Sequence, residues 1–289
     1  MNPLQLLRRT DKWFLGGGHG AIYAPPFPRF LTTPGFAEEC YLADIRIPGL
    51  FSVIVLDAQY RPVKFDSKLV DWCPHRLVLS HSAPGVEIRE TRCVTESNAW
   101  VSCFEVLAAP TQLHFFQWSL MDVRPPGYAA PWSSLTSADV LEQSLAVRFE
   151  TAWPEELAPD RTAVEEEQVV SGASKMLAPL PVYLELGGSL PRRSWTVNLA
   201  QRHDESPLYE LSVLPEKFVG GTLPCDYKLF VGTDPVEGMA HLVQHFVVEE
   251  GQELVLACGS GMSAAAASSS LQDAVLPGVV ERSERDWRR

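Results

Sequence analysis

From residue 75 to residue 120 the chain is written with a period of two. Residues 75–80 (HRLVLS), 86–95 (VEIRETRCVT), 99–107 (AWVSCFEVL) and 111–120 (TQLHFFQWSL) are rich in β-branched and aromatic side chains. Turn chemistry separates them: Ala83-Pro84-Gly85, Glu96-Ser97-Asn98 and Ala109-Pro110. This spacing sends alternate side chains to opposite faces and reads as an antiparallel meander. In 86–95 it sets Val86, Ile88 and Glu90 against Glu87, Arg89 and Thr91, so one face is wet. Further strands are expected at 145–151, 182–186, 194–199, 208–213, 227–231, 241–248 and 253–257, about a dozen in all. Helices are few: a turn or two at 137–143, and a tail from Ser263 onward interrupted at Pro277. Helix–strand alternation and internal repeats are both absent. The expected fold class is all-β, a large antiparallel two-sheet super-sandwich with a short C-terminal helical linker. Residues 1–258 form the sandwich domain in this reading and 259–289 the linker, with Gly259-Ser260-Gly261 as a hinge between them.

A hydrophobic fraction of 46% is enough to bury a sizeable core. The formal charge of −12 argues against nucleic acid and anionic membranes as partners, since both attract basic surfaces. No stretch approaches the ~20 apolar residues of a membrane span. The opening MNPLQLLRRT has too short an apolar run for an export signal, with its arginines after the leucines instead of before them. The six cysteines show no C-x-x-C pair and are expected to be free thiols in a cytoplasmic protein.

The sharpest local signal is Gly16-Gly17-Gly18-His19-Gly20 after Trp13-Phe14-Leu15. Extended sequence follows it instead of a helix start, and no Gly-Lys-Ser/Thr is present, so a phosphate loop is excluded. A tight β-turn is the expected structure, with a small-molecule contact by His19 as the functional alternative. His241 and His245 share a face on a strand as they would on a helix, but the intervening residues lack the Glu of a zinc-protease motif. No Cys/His cluster has structural-zinc spacing, no G-x-S-x-G elbow occurs, and adjacent carboxylates such as Glu38-Glu39 read as solvated charge. No cofactor is expected. Of the eight tryptophans, Trp100, Trp118 and Trp195 fall in strand alternation and are expected in the core. Trp13, Trp72, Trp132 and Trp153 lie beside proline, glycine or loop residues, where ring faces can stack on sugars or fill an interdomain contact.

The order of these signals is that of a known group. Phe14-Leu15-Gly16-Gly17-Gly18-His19-Gly20 is followed by Pro34-Gly35-Phe36, then by Glu90-Thr91-Arg92 ahead of Ala99-Trp100-Val101. An Ala/Ser-rich segment closing in Glu284-Arg285-Asp286-Trp287-Arg288 completes it. The chain resembles the N-terminal β-domain of glycoside hydrolases and phosphorylases that carry a C-terminal (α/α) toroid, of glucoamylase-like or glycogen-debranching-like type. In that group the catalytic carboxylates belong to the helical barrel, so the resemblance implies no catalytic residue in this chain. It implies carbohydrate as the partner, with Gly18, His19, Tyr128 and Trp132 as the residues best placed to reach a sugar. Val280 and Trp287, on one side of the terminal helix, are expected to meet the catalytic domain in cis or another chain. A stand-alone mutarotase-like epimerase using His75, His114 or His241 with a glutamate is the second reading, and a sugar-binding module with exposed loop tryptophans the third.

Overall fold

The computed structural model describes residues 13–24, 33–37, 39–43, 45–123, 133–151, 180–200, 223 and 239–289. Among them are seventeen strands. The first six are β1 (Trp13–Gly17), β2 (Gly20–Ala24), β3 (Gly35–Phe36), β4 (Cys40–Leu42), β5 (Ile45–Ile47) and β6 (Phe51–Leu56). The meander follows as β7 (Asp66–Cys73), β8 (Arg76–Ala83), β9 (Val86–Val94), β10 (Ala99–Ala108) and β11 (Leu113–Met121). The rest are β12 (Ser133–Val140), β13 (Ser144–Thr151), β14 (Leu180–Gly188), β15 (Ser194–Ala200), β16 (Met239–Val248) and β17 (Glu253–Gly261). Two helices close the chain, α1 (Ala264–Ala274) and α2 (Val279–Trp287).

The fold is an all-β sandwich. An eight-stranded sheet ordered β12-β13-β14-β17-β10-β9-β8-β7 faces a five-stranded sheet ordered β15-β16-β11-β6-β3, and β1-β2-β4-β5 form a small third sheet. Alternation decides what faces inward. On β9, Val86, Ile88 and Glu90 are buried while Glu87 and Arg89 are exposed. Leu113, Phe115 and Met121 of β11 meet Trp100, Phe104 and Leu256 in one continuous core that also takes in Leu15, Ile22 and Ile47 of the small sheet.

The outer face of the eight-stranded sheet is apolar too, and the helices cover it. Cys93, Val101, Cys103, Val255 and Ala257 pack against Leu271, Ala274 and Val279, with Val280 partly buried beside them. Ser263 caps α1 by accepting the N–H of Ala266 at 3.2 Å. The break falls at Pro277, as expected. Gly259-Ser260-Gly261 is not a hinge: all three residues are buried in the last strand. A Cβ on Gly259 would lie 2.5 Å from the backbone nitrogen of Leu271 and closer still to the carbonyl oxygen of Ala267. Bare glycine backbone is what lets α1 sit against β17.

Two further expectations are corrected. Residues 137–143 were expected to turn into a helix, but Ser133–Val140 is a strand paired with β13, because burying Leu135 and Ala138 in the core outweighs weak local helix preference. Trp72 lies within β7, with Leu77 and Leu79 packed against it, instead of in a loop. The strands expected at 208–213 and 227–231 lie outside the described residues.

Candidate functional site

Two constellations of polar side chains are set into apolar surroundings, one on each face of the layered sheets. The first lies on the outer face of the five-stranded sheet. Alternate residues of β11 (His114, Phe116, Trp118) and β16 (His241, Val243, His245) point away from the sandwich interior, together with Leu56, Met239, Leu223, Ile54 and Tyr60. An outer sheet face is ordinarily wet, and this one is a second core. His114 Nδ1 and His245 Nε2 are 2.9 Å apart, and both residues are almost fully buried. The His245 ring stacks on Phe116, its cross-strand partner, at 4.7 Å and 11°, and Tyr60 meets His114 edge-on at 5.0 Å. On the far side His245 Nδ1 lies 3.4 Å from Ser194 Oγ, which accepts the N–H of Leu223 at 3.2 Å. His241 sits against Trp118 at 5.4 Å.

In a hydrogen bond between two imidazoles one ring donates and the other accepts, so at least one of the two is neutral. Burial holds His245 at about 3, helped by His114 and the positive charge of Arg193. Burial also lowers His114, with Asp57 acting against it. Paired histidines within an apolar wall are residue types that serve in acid–base sites. Among the described residues no group of three or more His, Cys, Asp or Glu could hold a metal ion.

The second constellation is inside the sandwich. Glu90 and Arg92, both fully buried on β9, form a two-pronged ion pair with Nε–Oε1 at 2.8 Å and Nη2–Oε2 at 3.0 Å. Arg92 also donates to the carbonyl of Thr33 at 2.7 Å, and Glu90 accepts from the backbone N–H of Gly35 at 2.8 Å and from the hydroxyl of Ser102. His81 Nε2 lies 2.8 Å from Glu90 Oε2, and His81 Nδ1 lies 2.7 Å from Ser67 Oγ. An ionised Glu90 only accepts, so His81 carries a proton on Nε2 and donates it to the carboxylate. The order hydroxyl, imidazole, carboxylate is that of a nucleophile relay. Here Arg92 balances the carboxylate and His81 is 1% exposed, so the chain of bonds acts as a brace. It ties β7, β8, β9 and β10 to residues 33–35 next to the opposite sheet.

Burial alone would raise the Glu90 pKa, but the Arg92 charge and the His81 hydrogen bond overcome it and hold it at about 2, against 4.5 for a free carboxyl. The unfolded chain therefore binds a proton between those values that the fold refuses. This contribution to stability is complete above pH 4.5 and is lost as pH falls from 4.5 toward 2. Urea midpoints measured from pH 6 to pH 2.5 are expected to fall in that window, and Glu90→Gln to flatten the fall. An equal slope in the variant would contradict the assignment.

The glycine motif is a hairpin turn. Gly18 (φ +54°) and His19 join β1 to β2 and are exposed. Their backbone N–H groups donate to the Glu96 carboxylate at 3.3 Å and to Asn98 Oδ1 at 2.7 Å, so the turn is anchored to the β9–β10 connection. Its amides are thus spent within the protein. Tyr128 and Trp132 lie outside the described residues. His75, Glu284 and Trp287 meet elsewhere, where α2 touches the β7–β8 turn: His75 is 3.9 Å from Glu284 and its ring 6.2 Å from that of Trp287. Val280 packs on the chain's own sheet, while Trp287 is 43% exposed. Of the histidines named for an epimerase, His114 and His241 share a face and His75 lies at the β7–β8 turn. His245, read from the sequence only as sharing a face with His241, is the ring that pairs with His114.

No protein-family model and no curated protein matches this sequence. Solved structures do match. A bacterial glucoamylase, solved in complex with acarbose, superposes with a TM-score of 0.52 at 9% identity, over 97% of this chain and 36% of that one. A family GH92 inverting mannosidase from Bacteroides thetaiotaomicron is 13% identical with a TM-score of 0.40, over 82% of this chain and 25% of that one. A GalM/aldose epimerase homologue from C. elegans is 9% identical with a TM-score of 0.39, over 86% and 99%. The glucoamylase likeness shows a shared fold. This chain spans about a third of that enzyme's length.

Proposed function

We propose that this chain is the non-catalytic β-domain of a carbohydrate-active enzyme, cytoplasmic, supporting a helical catalytic barrel and lending a loop to the rim of its sugar site. The observation that carries this reading is the match to glucoamylase, which takes in nearly all of this chain and little more than a third of that one. Trp287, exposed on the terminal helix, is the surface offered to the barrel, and His19 at the anchored hairpin tip is the ring offered to the sugar. Trp132 joins His19 in this proposal from the sequence. His19→Ala in an enzyme that contains the domain is expected to raise KM for an oligosaccharide about 10-fold, the loss of one ligand contact, with the urea midpoint unchanged. Unaltered kinetics would remove the loop's role.

A second reading is favoured by one observation, the His114–His245 pair on a sheet face rich in aromatics. It makes the chain a stand-alone aldose epimerase of mutarotase type. Polarimetry separates the two: the chain by itself is expected neither to speed the mutarotation of aldoses nor to hydrolyse malto-oligosaccharides. Catalysed mutarotation that disappears in His114→Asn would replace the first reading with the second.

A further inference from the structure

Strand β7 closes one side of the eight-stranded sheet, and no described strand pairs with its outer edge. An edge of this kind presents backbone N–H and C=O groups to any strand that approaches, and proteins ordinarily guard it with charge or irregularity. This one also presents Leu69 and Val70 side by side, 42% and 63% exposed, and Val70 is the most exposed large apolar side chain among the described residues. We propose that β7 is the interface for a second copy of this chain, paired antiparallel to its twin so that the eight-stranded sheets of two copies run on into one another.

The register follows from a bulge. Lys68 pairs with Ser80 and Leu69 with Leu79, but Asp71 pairs with Val78, so Val70 is an extra residue. Leu69 and Val70 together fill one position of the ladder. Val78 and Ser80 are two apart on β8 and share a face, so Asp71 and Lys68 share it as well. In an unbulged strand, residues three apart would point to opposite faces. A two-fold axis through the Leu69–Val70 step then sets Lys68 against the partner's Asp71 and Asp71 against the partner's Lys68. The apolar pair meets its own counterpart on the axis between them. Every nearby register is worse. A slip of one position turns the faces against each other. A slip of two, in either direction, sets lysine 68 against its own copy or aspartate 71 against its own copy, and like charges directly opposite repel. Lys68 is thus a guard against all these pairings except one. Within a single chain Lys68 contacts Asp66 at 2.9 Å and Asp71 contacts Arg76 at 3.0 Å. Both pairs are exposed, and exposed pairs exchange partners at little cost. The edge is eight residues long, about 27 Å at the usual strand rise, so the interface is small and the dimer is expected to dissociate in the micromolar range.

The test is sedimentation velocity of the full chain from about 1 µM to about 200 µM, the range in which a small interface forms. The natural protein is expected to pass from monomer to dimer across it. Val70→Lys is expected to raise the dissociation constant at least 10-fold. Lys68→Asp and Asp71→Lys, made singly, are expected to do the same, because each sets like charges face to face. The double variant, Lys68→Asp with Asp71→Lys, restores opposite charges across the axis and is expected to recover most of the natural affinity. A monomer throughout, a dimer indifferent to Val70→Lys, or a folded double variant no tighter than either single would overturn the proposal. Should a charge variant fail to fold, hydrogen exchange of the natural protein decides. Exchange in Asp66–Cys73 is expected to slow several-fold from the lowest concentration to the highest while Val86–Val94 is unchanged, and exchange in Asp66–Cys73 that ignores concentration would refute it.

Discussion

Arg92→Met is expected to destabilise the chain by about 3–5 kcal/mol, the usual cost of leaving one member of a buried ion pair without its partner. Methionine fills much of the guanidinium's volume, so the loss measures charge and hydrogen bonding more than a cavity. Glu90 would keep the Gly35 N–H, the Ser102 hydroxyl and His81, but lose the charge that holds it ionised. The Thr33 carbonyl would lose its donor as well, freeing the stretch that leads into β3. Chemical denaturation at pH 7 measures the first effect. A double variant, Glu90→Leu with Arg92→Met, is expected to recover only part of the loss, since it removes both buried charges but leaves the Gly35 N–H, the Ser102 hydroxyl and His81 without their acceptor. A loss below about 1 kcal/mol in the single variant would mean that the brace is not charge-stabilised.

The second large effect is expected at Gly259→Ala. The added methyl meets backbone atoms of α1, which cannot swing aside as a flexible side chain can. Either β17 shifts within the eight-stranded sheet or α1 lifts off it, at about 1–3 kcal/mol or more. Lifting uncovers Ala257 and Val101 on the outer face of the sheet, which pack with Leu271 and Ala274. Hydrogen exchange of the α1 amides, corrected for intrinsic rates, is therefore expected to speed up at least 10-fold, the population shift that about 1.4 kcal/mol produces. Unchanged exchange and an unchanged urea midpoint would show that the helix can accommodate the methyl.

Much of the fold could be read from the sequence because alternation is local. Strand β9 announced its wet and buried faces, and Glu90 and Arg92 occupy the same parity as Val86 and Ile88. A charged pair on a buried parity is a signal of an internal ion pair; the alternation placed Glu90 on that face, and its pairing with Arg92 emerges only in the structure. The end of α1, the restart after Pro277 and the turn at Gly18 follow from single-residue chemistry in the same way. What could not be read depends on partners distant in sequence. His114 and His245 are 131 positions apart and meet only because β11 and β16 pair in the register that sets Phe116 against His245. The helix expected at 137–143 failed because strand pairing with β13 is a tertiary gain that local propensity does not contain. Gly259 looked like a hinge because glycine's two uses, flexibility and close approach, are identical in sequence and opposite in structure.

The proposal that this chain is one part of a larger sugar-processing enzyme is tested most directly by the codons that follow Arg289 in its gene. A long open reading frame with apolar residues at helical spacing, sufficient for a barrel of paired helices, is the predicted result. A stop codon immediately after Arg289, together with catalysed mutarotation of an aldose by the chain alone, would contradict it.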